Sequence, residues 1–98
     1  MAFTWKITEV RPSTNVPWYE FNQEHLEYLE QEYRQHTTGF MEFTESEDGL
    51  TKTALVGWPD EEQASRFEAD EISIISGNLK QDHCDLHGIT RTKEVIPS

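Results

Sequence analysis

Three groups of side chains in this sequence have the types and spacing to do chemistry. Asn22 and His25 stand three apart among Trp18, Phe21 and Leu29. A polar pair in an apolar setting orients a small ligand, and an imidazole that titrates near neutrality moves a proton. The plainer reading makes His25 a boundary residue, or a buried one bonded to a backbone carbonyl. Trp58, where a strand gives way to a helix, would wall such a pocket, although large aromatics first of all dominate packing. Asp82-His83-Cys84-Asp85-Leu86-His87 is the one run with metal-ligand types. His83 and His87 would share a face if the segment were helical, and imidazole and thiolate suit zinc. Against this, a structural zinc takes four ligands, the other histidines lie far off in the chain, and Leu79 to Asp85 reads as a loop. No metal is therefore expected, and Cys84 reads as a passive side chain with only two histidines beside it as activators.

The third group is acidic. Glu42, Glu45, Glu47 and Asp48 crowd one hairpin, and Asp60, Glu61 and Glu62 open a helix. A strongly acidic surface attracts a protein partner with a basic face, and in the extreme imitates the phosphates of nucleic acid. Most such runs are solvated edges that also discourage edge-to-edge pairing of strands. With 8 basic against 19 acidic residues and a formal charge of −11, direct binding to nucleic acid is not expected. No Gly-rich phosphate loop, nucleophile elbow or HExxH helix is present, so no cofactor is expected either.

The elements that must position these groups follow from pattern. A chain of 98 residues makes one domain, here residues 1–98, with a modest core. Eleven per cent aromatic residues argue against disorder. Phe3, Trp5 and Ile7 alternate with Thr4, Lys6 and Thr8, which predicts a half-buried strand. From Pro17 to about Gly39 the chain is rich in Glu, Gln and Leu, and Trp18, Phe21, Leu26, Leu29 and Tyr33 fall on one side at helical spacing. This predicts a helix of about five turns. Met41 and Phe43 open a hairpin turned at Asp48-Gly49, where glycine accepts positive φ, and Leu50 to Trp58 returns. Ala54, Val56 and Trp58 point one way and Thr53 and Leu55 the other, so the strand is expected to be apolar on both faces. Asp60 and Gln63 form a capping box for a second helix. Residues 79–85 read as a connection and His87 to Ile96 as a last strand. The order is strand, helix, strand, strand, helix, strand: an α+β ferredoxin-like βαββαβ sandwich, its four-stranded antiparallel sheet carrying two helices on one face. The other face, if apolar, is covered most simply by a second copy across a two-fold axis.

The run from Leu50 to Phe67, a strand ending in Trp58, a capped acidic turn and a helix with Ala64 and Phe67 three apart, resembles the dimeric α+β barrel superfamily, the antibiotic-biosynthesis monooxygenase-like proteins among them. The resemblance implies a homodimer and a cavity between helices and sheet. It implies no one activity, because that superfamily includes cofactor-free monooxygenases, haem-degrading enzymes, isomerases and non-enzymatic relatives.

Three readings of function, from different classes, therefore follow. The first is a small cytoplasmic homodimer acting as a non-enzymatic interaction module, with a reducing compartment inferred from the single cysteine and no membrane-spanning or secretory segment. The alternative is a cofactor-independent monooxygenase or isomerase acting on a small apolar or aromatic compound, with Asn22, His25 and Trp58 orienting substrate or moving a proton. An acidic inhibitor that mimics nucleic acid is the third reading.

Overall fold

A computed structural model describes residues 1–97. Strand β1 (Phe3–Val10) is followed by helix α1 (Gln23–Tyr33), a 3-10 turn over Arg34–His36, strands β2 (Gly39–Glu45) and β3 (Thr51–Trp58), helices α2 (Glu61–Ala69) and α3 (Glu71–His87), and strand β4 (Thr90–Pro97). The four strands form one antiparallel sheet in the order β2-β3-β1-β4. The α+β class and the antiparallel sheet agree with the sequence pattern. The simple six-element order does not hold, because the connection from β3 to β4 carries two helices.

Two segments differ from their sequence reading for identifiable reasons. The first helix begins at Gln23, well after Pro17, because Asn22 caps it: its side-chain oxygen accepts from the amides of Glu24 and His25 at 2.9 and 3.2 Å. The stretch before it is strapped across the hairpin. Arg11 donates to the carbonyls of Gly49 and Val16 at 2.7 and 2.8 Å and lies over the Trp18 ring. The second difference is larger. Residues 79–85, read as a connection, lie inside the 17-residue helix α3. Gly88 ends it with φ of +70°, and the amide of Ile89 returns to the carbonyl of Cys84 at 2.9 Å. That left-handed stop delays the final strand from His87 to Thr90.

The register assigns each strand residue to a face. Trp5, Ile7 and Glu9 of β1 stand beside Val56, Ala54 and Lys52 of β3 on one side and Val95, Lys93 and Arg91 of β4 on the other. The helices cover this face. Trp5, Val56 and Trp58 pack against Ala64 of α2, and Leu29, Tyr33 and Phe40 form a second cluster, with Met41 and Phe67 joining both. Met41 sits at a register break in β2 with φ of +49°. Such a bulge bends the strand and re-aims its side chains.

The opposite face corrects an expectation. It carries Leu55, Val10 and Ile96, but its main feature is threonine: Thr44, Thr53, Thr8 and Thr92 form a rank across all four strands. The next rank reads Glu42, Leu55, Lys6, Glu94. The back of the sheet is therefore amphipathic and hydroxyl-rich, because only alternate residues of β3 follow the apolar pattern that the strand shows as a whole.

One carboxylate ties the helices together. Asp70 Oδ1 accepts from the amide of Ile72 at 2.9 Å and so caps α3, while Oδ2 accepts from the hydroxyls of Tyr33 and Tyr28 on α1 at 2.6 and 2.9 Å. Burial alone would raise the Asp70 pKa, but the two phenols and the helix amides outweigh it and hold the carboxyl below its ordinary value. Burial and the same bond push Tyr33 upward. A depressed carboxyl contributes stability above the unfolded-state pKa and loses it as pH falls through the folded value. Asp70→Ala removes the cap and the acceptor of a buried hydroxyl, and is expected to cost about 2–4 kcal/mol near neutrality. Urea unfolding should show the difference from wild type shrinking below about pH 4; a gap independent of pH would contradict the assignment.

Candidate functional site

Helix α3 presents an unusual side to the sheet. Its buried residues are Ser76, Lys80 and Cys84, while Ile74, Leu79 and Leu86 are 49%, 43% and 80% exposed. Small side chains at Ser73, Ser76 and Gly77 cannot fill the space that leucines would fill. A Cβ added at Gly77 would meet no atom within 4 Å. The helix is thus held over the sheet without packing tightly onto it. The result is a cavity of about 480 Å³.

Its floor is Trp5, Ile7, Ala54 and Val56, with Met41 and Phe43 from β2 and walls from Phe21, Leu29 and Phe67. Lys80, Arg91 and Lys93 line it too. Lys80 Nζ is 2.8 Å from Glu9 Oε2, and Arg91 Nε approaches the same oxygen at 3.4 Å. That approach is an ion contact only, since the buried Arg91 Nε makes no hydrogen bond. Lys93 Nζ sits over the Trp5 ring at 3.7 Å, a cation–π contact, and reaches Glu68 at 3.9 Å. Burial lowers the Lys80 pKa, opposed by its bond to Glu9. The cavity combines an apolar, partly aromatic body with a cationic group of side chains. Such an arrangement accepts a compound with an aromatic or aliphatic part and an anionic group.

The residues singled out by sequence fall elsewhere. Asn22 is the cap of α1, and His25 is beside it, on a shallow cleft shared with Tyr28, Asp70 and Glu71. His25 Nδ1 is buried without a hydrogen-bond partner. Trp58 is fully enclosed at 0% exposure in the core behind α2 and does not line the cavity. The structure brings Asn22 and His25 together and leaves Trp58 apart from both.

The acidic residues divide into two groups. Glu45 receives the Trp18 indole N–H at 2.9 Å and pairs with Arg11 at 3.4 Å. Asp48 accepts from Ser46 and from the Leu50 amide, which lower its pKa. Asp60 caps α2 through the Gln63 amide at 3.0 Å, and Glu61 and Glu62 fill the first turn. Gln63 does not reach back; it accepts from Arg66 instead. Glu42 is on the threonine face, and Glu47 is exposed in the hairpin turn. Glu45, Glu47 and Asp48 lie at one end of β3 and the Asp60–Glu62 turn at the other, about 24 Å apart along an eight-residue strand, with Glu42 between them opposite Leu55.

His83 and His87 do share a face of α3, with ring centroids 4.4 Å apart. His83 Nε2 is bonded to the carbonyl of Pro17 at 2.8 Å, and Cys84 points inward, its thiol pKa raised by burial. Among the described residues no group of three or more His, Cys, Asp or Glu is placed to hold a metal ion. No helix among them is long and apolar enough to cross a membrane.

Lys80, Arg91, Lys93 and Glu9 were not singled out by sequence reasoning. The available signal was Glu9, an acid at an inward strand position, which requires a buried cation as its partner.

Gly77 offers a direct check on the cavity. Glycine within a helix is about 1 kcal/mol less favourable than alanine, and there is room for a methyl group. Gly77→Ala is therefore expected to raise unfolding free energy by about 0.5–1 kcal/mol in denaturant titration. A loss of stability would show that the space is filled. Compared with known proteins, the chain matches no family model, no curated protein and no solved structure.

Proposed function

We propose that this protein binds a small apolar or aromatic compound bearing an anionic group in the cavity between α3 and the sheet. The observation that carries the reading is an inversion of charge. The chain has 19 acidic and 8 basic residues, yet among the described residues three basic side chains, Lys80, Arg91 and Lys93, line the cavity with a single acid, Glu68. Glu9 lies behind Lys80 and Arg91 and offsets one of the cations, so the lining stays positive. Gathering cations in an aromatic hollow of an acidic protein favours an anionic guest and leaves the outer surface to repel other anions. The volume falls within the range of small-molecule sites, about 300–1,000 Å³. Cofactor-independent oxygenation or isomerisation of such a compound is the enzymatic extension of the same reading. An interaction module with a basic partner is the second reading, favoured by the −11 charge. The separation of the two acidic groups favours two small contacts over one phosphate-like patch, which weakens nucleic-acid mimicry. A cytoplasmic setting belongs to this proposal and is supported by the lone cysteine.

The test is titration with 1-naphthoate, followed by calorimetry and thermal shift. Saturable binding is expected, with about 2.7 kcal/mol of added stability at 100 times the dissociation constant. The neutral methyl ester should bind about tenfold more weakly or worse, the loss of one modest charge contact. Gly77→Phe, which projects a ring into the empty space, should abolish binding while leaving the fold intact. Equal affinity for acid and ester would overturn the charge argument.

We further propose a ferredoxin-like subunit paired with a second copy through the threonine face, the dimeric α+β barrel arrangement. Support comes from the rank Glu42, Leu55, Lys6, Glu94. A two-fold axis through Leu55, parallel to the strands, brings the two Leu55 side chains together and sets Lys6 of each copy against Glu42 of the other, a self-complementary pattern. Sedimentation at micromolar concentration should give twice the chain mass, and Lys6→Glu should halve it. A wild-type monomer would sink the pairing without touching the cavity.

A further inference from the structure

We propose that Lys80 is a carbonyl-reactive amine, and that the guests of the cavity include aldehydes held as an imine on its Nζ. The inference rests on the cavity reading and names a substrate class for it. Among the described residues Lys80 is the one buried lysine: its side chain is 9% accessible, whereas that of Lys93 is 43% accessible, and Lys6 and Lys52 are partly exposed. The Nζ lies 5.0 Å from the Phe21 ring centre and 2.8 Å from Glu9, and the residue lines the cavity. A lysine needed only to neutralise Glu9 would duplicate Arg91, which contacts the same carboxylate oxygen. Removal from water disfavours the ammonium form; Glu9 opposes this, the positive charges of Arg91 and Lys52 add to it, and the balance lowers the Lys80 pKa. Desolvation in an apolar hollow and a neighbouring cation are what make a lysine nucleophilic, and Glu9, 2.8 Å away, is placed to take the proton.

The chemistry balances with the groups present. Lys80 Nζ passes a proton to Glu9 and attacks the aldehyde carbon, forming the C–N bond as the C=O π pair moves to oxygen. A proton shifts from nitrogen to that oxygen, giving the carbinolamine. Glu9 returns its proton to the hydroxyl, which leaves as water while the nitrogen lone pair forms C=N. The sum is ammonium plus aldehyde giving protonated imine plus water, with Glu9 restored to carboxylate. No oxidant or reductant takes part.

The experiment treats the full chain with 4-carboxybenzaldehyde and cyanoborohydride at neutral pH, which reduces any imine to a stable amine, and maps the adduct by peptide mass. Preferential labelling of Lys80 over Lys6, Lys52, Lys93 and the amino terminus is expected, slowed by 1-naphthoate at Lys80 alone. Lys80→Arg keeps the ion pair to Glu9 and should lose the label. Labelling spread over the lysines in order of exposure, or absent from Lys80, overturns the assignment. If naphthoate binds and Lys80 stays unlabelled, the cavity reading stands and the amine does not. If Lys80 is labelled selectively and naphthoate neither binds nor competes, the amine stands and the anion site does not.

Discussion

The arrangement turns on which side of α3 faces the sheet. A helix ordinarily buries its apolar stripe. Here Ser76, Lys80 and Cys84 face inward, and Ile74, Leu79 and Leu86 remain substantially exposed. Three contacts hold this orientation. Asp70 caps the helix and is clasped by two tyrosines of α1. Lys80 is ion-paired to Glu9 beneath it. At the far end, Gly88 turns the chain into β4. Burying a charge is costly unless it is paired, so the Lys80–Glu9 contact locates α3 laterally against β1 more strictly than a leucine would.

The site follows from that constraint. Small inward residues leave space, and aromatic side chains from β1, β2 and α2 line it. β4, which enters the sheet beside β1, brings Arg91 and Lys93 to the same hollow. Trp5 serves two purposes: it packs edge-on against Trp58 at 5.2 Å and carries Lys93 over its ring. The floor of the cavity is therefore also the core of the fold. A substitution at Trp5 would remove binding and stability together, whereas Gly77 lies on the rim of that coupling and separates them.

Several parts of this structure were legible in the sequence. The alternation of Phe3, Trp5 and Ile7, the Asp48-Gly49 turn with φ of +72° at Gly49, and the Asp60 cap all appear as their chemistry predicts. Each rests on interactions within a few residues or on a simple period. The first helix starts later than Pro17 suggests, because Pro17 is a sound first-turn residue locally while the distant Arg11–Trp18–Glu45 strap and the His83 bond to the Pro17 carbonyl hold that stretch out of the helix. The acidic residues were correctly located but their occupation was not, since Glu45 and Asp60 turn out to make structural hydrogen bonds.

Local chemistry alone determined the class of the fold, its antiparallel strands and the strongly negative surface, because side-chain period, turn residues and charge act at short range or in sum. Tertiary structure alone decided the course of residues 71–87 and the site they cover. Periodicity assumes that apolar residues go inside, and α3 breaks that assumption by burying serine, lysine and cysteine. Its inward face is set by Glu9, a residue 71 positions away in the chain from Lys80, and by two tyrosines of another helix. Pairings at such distance exist only once the sheet and helices have met.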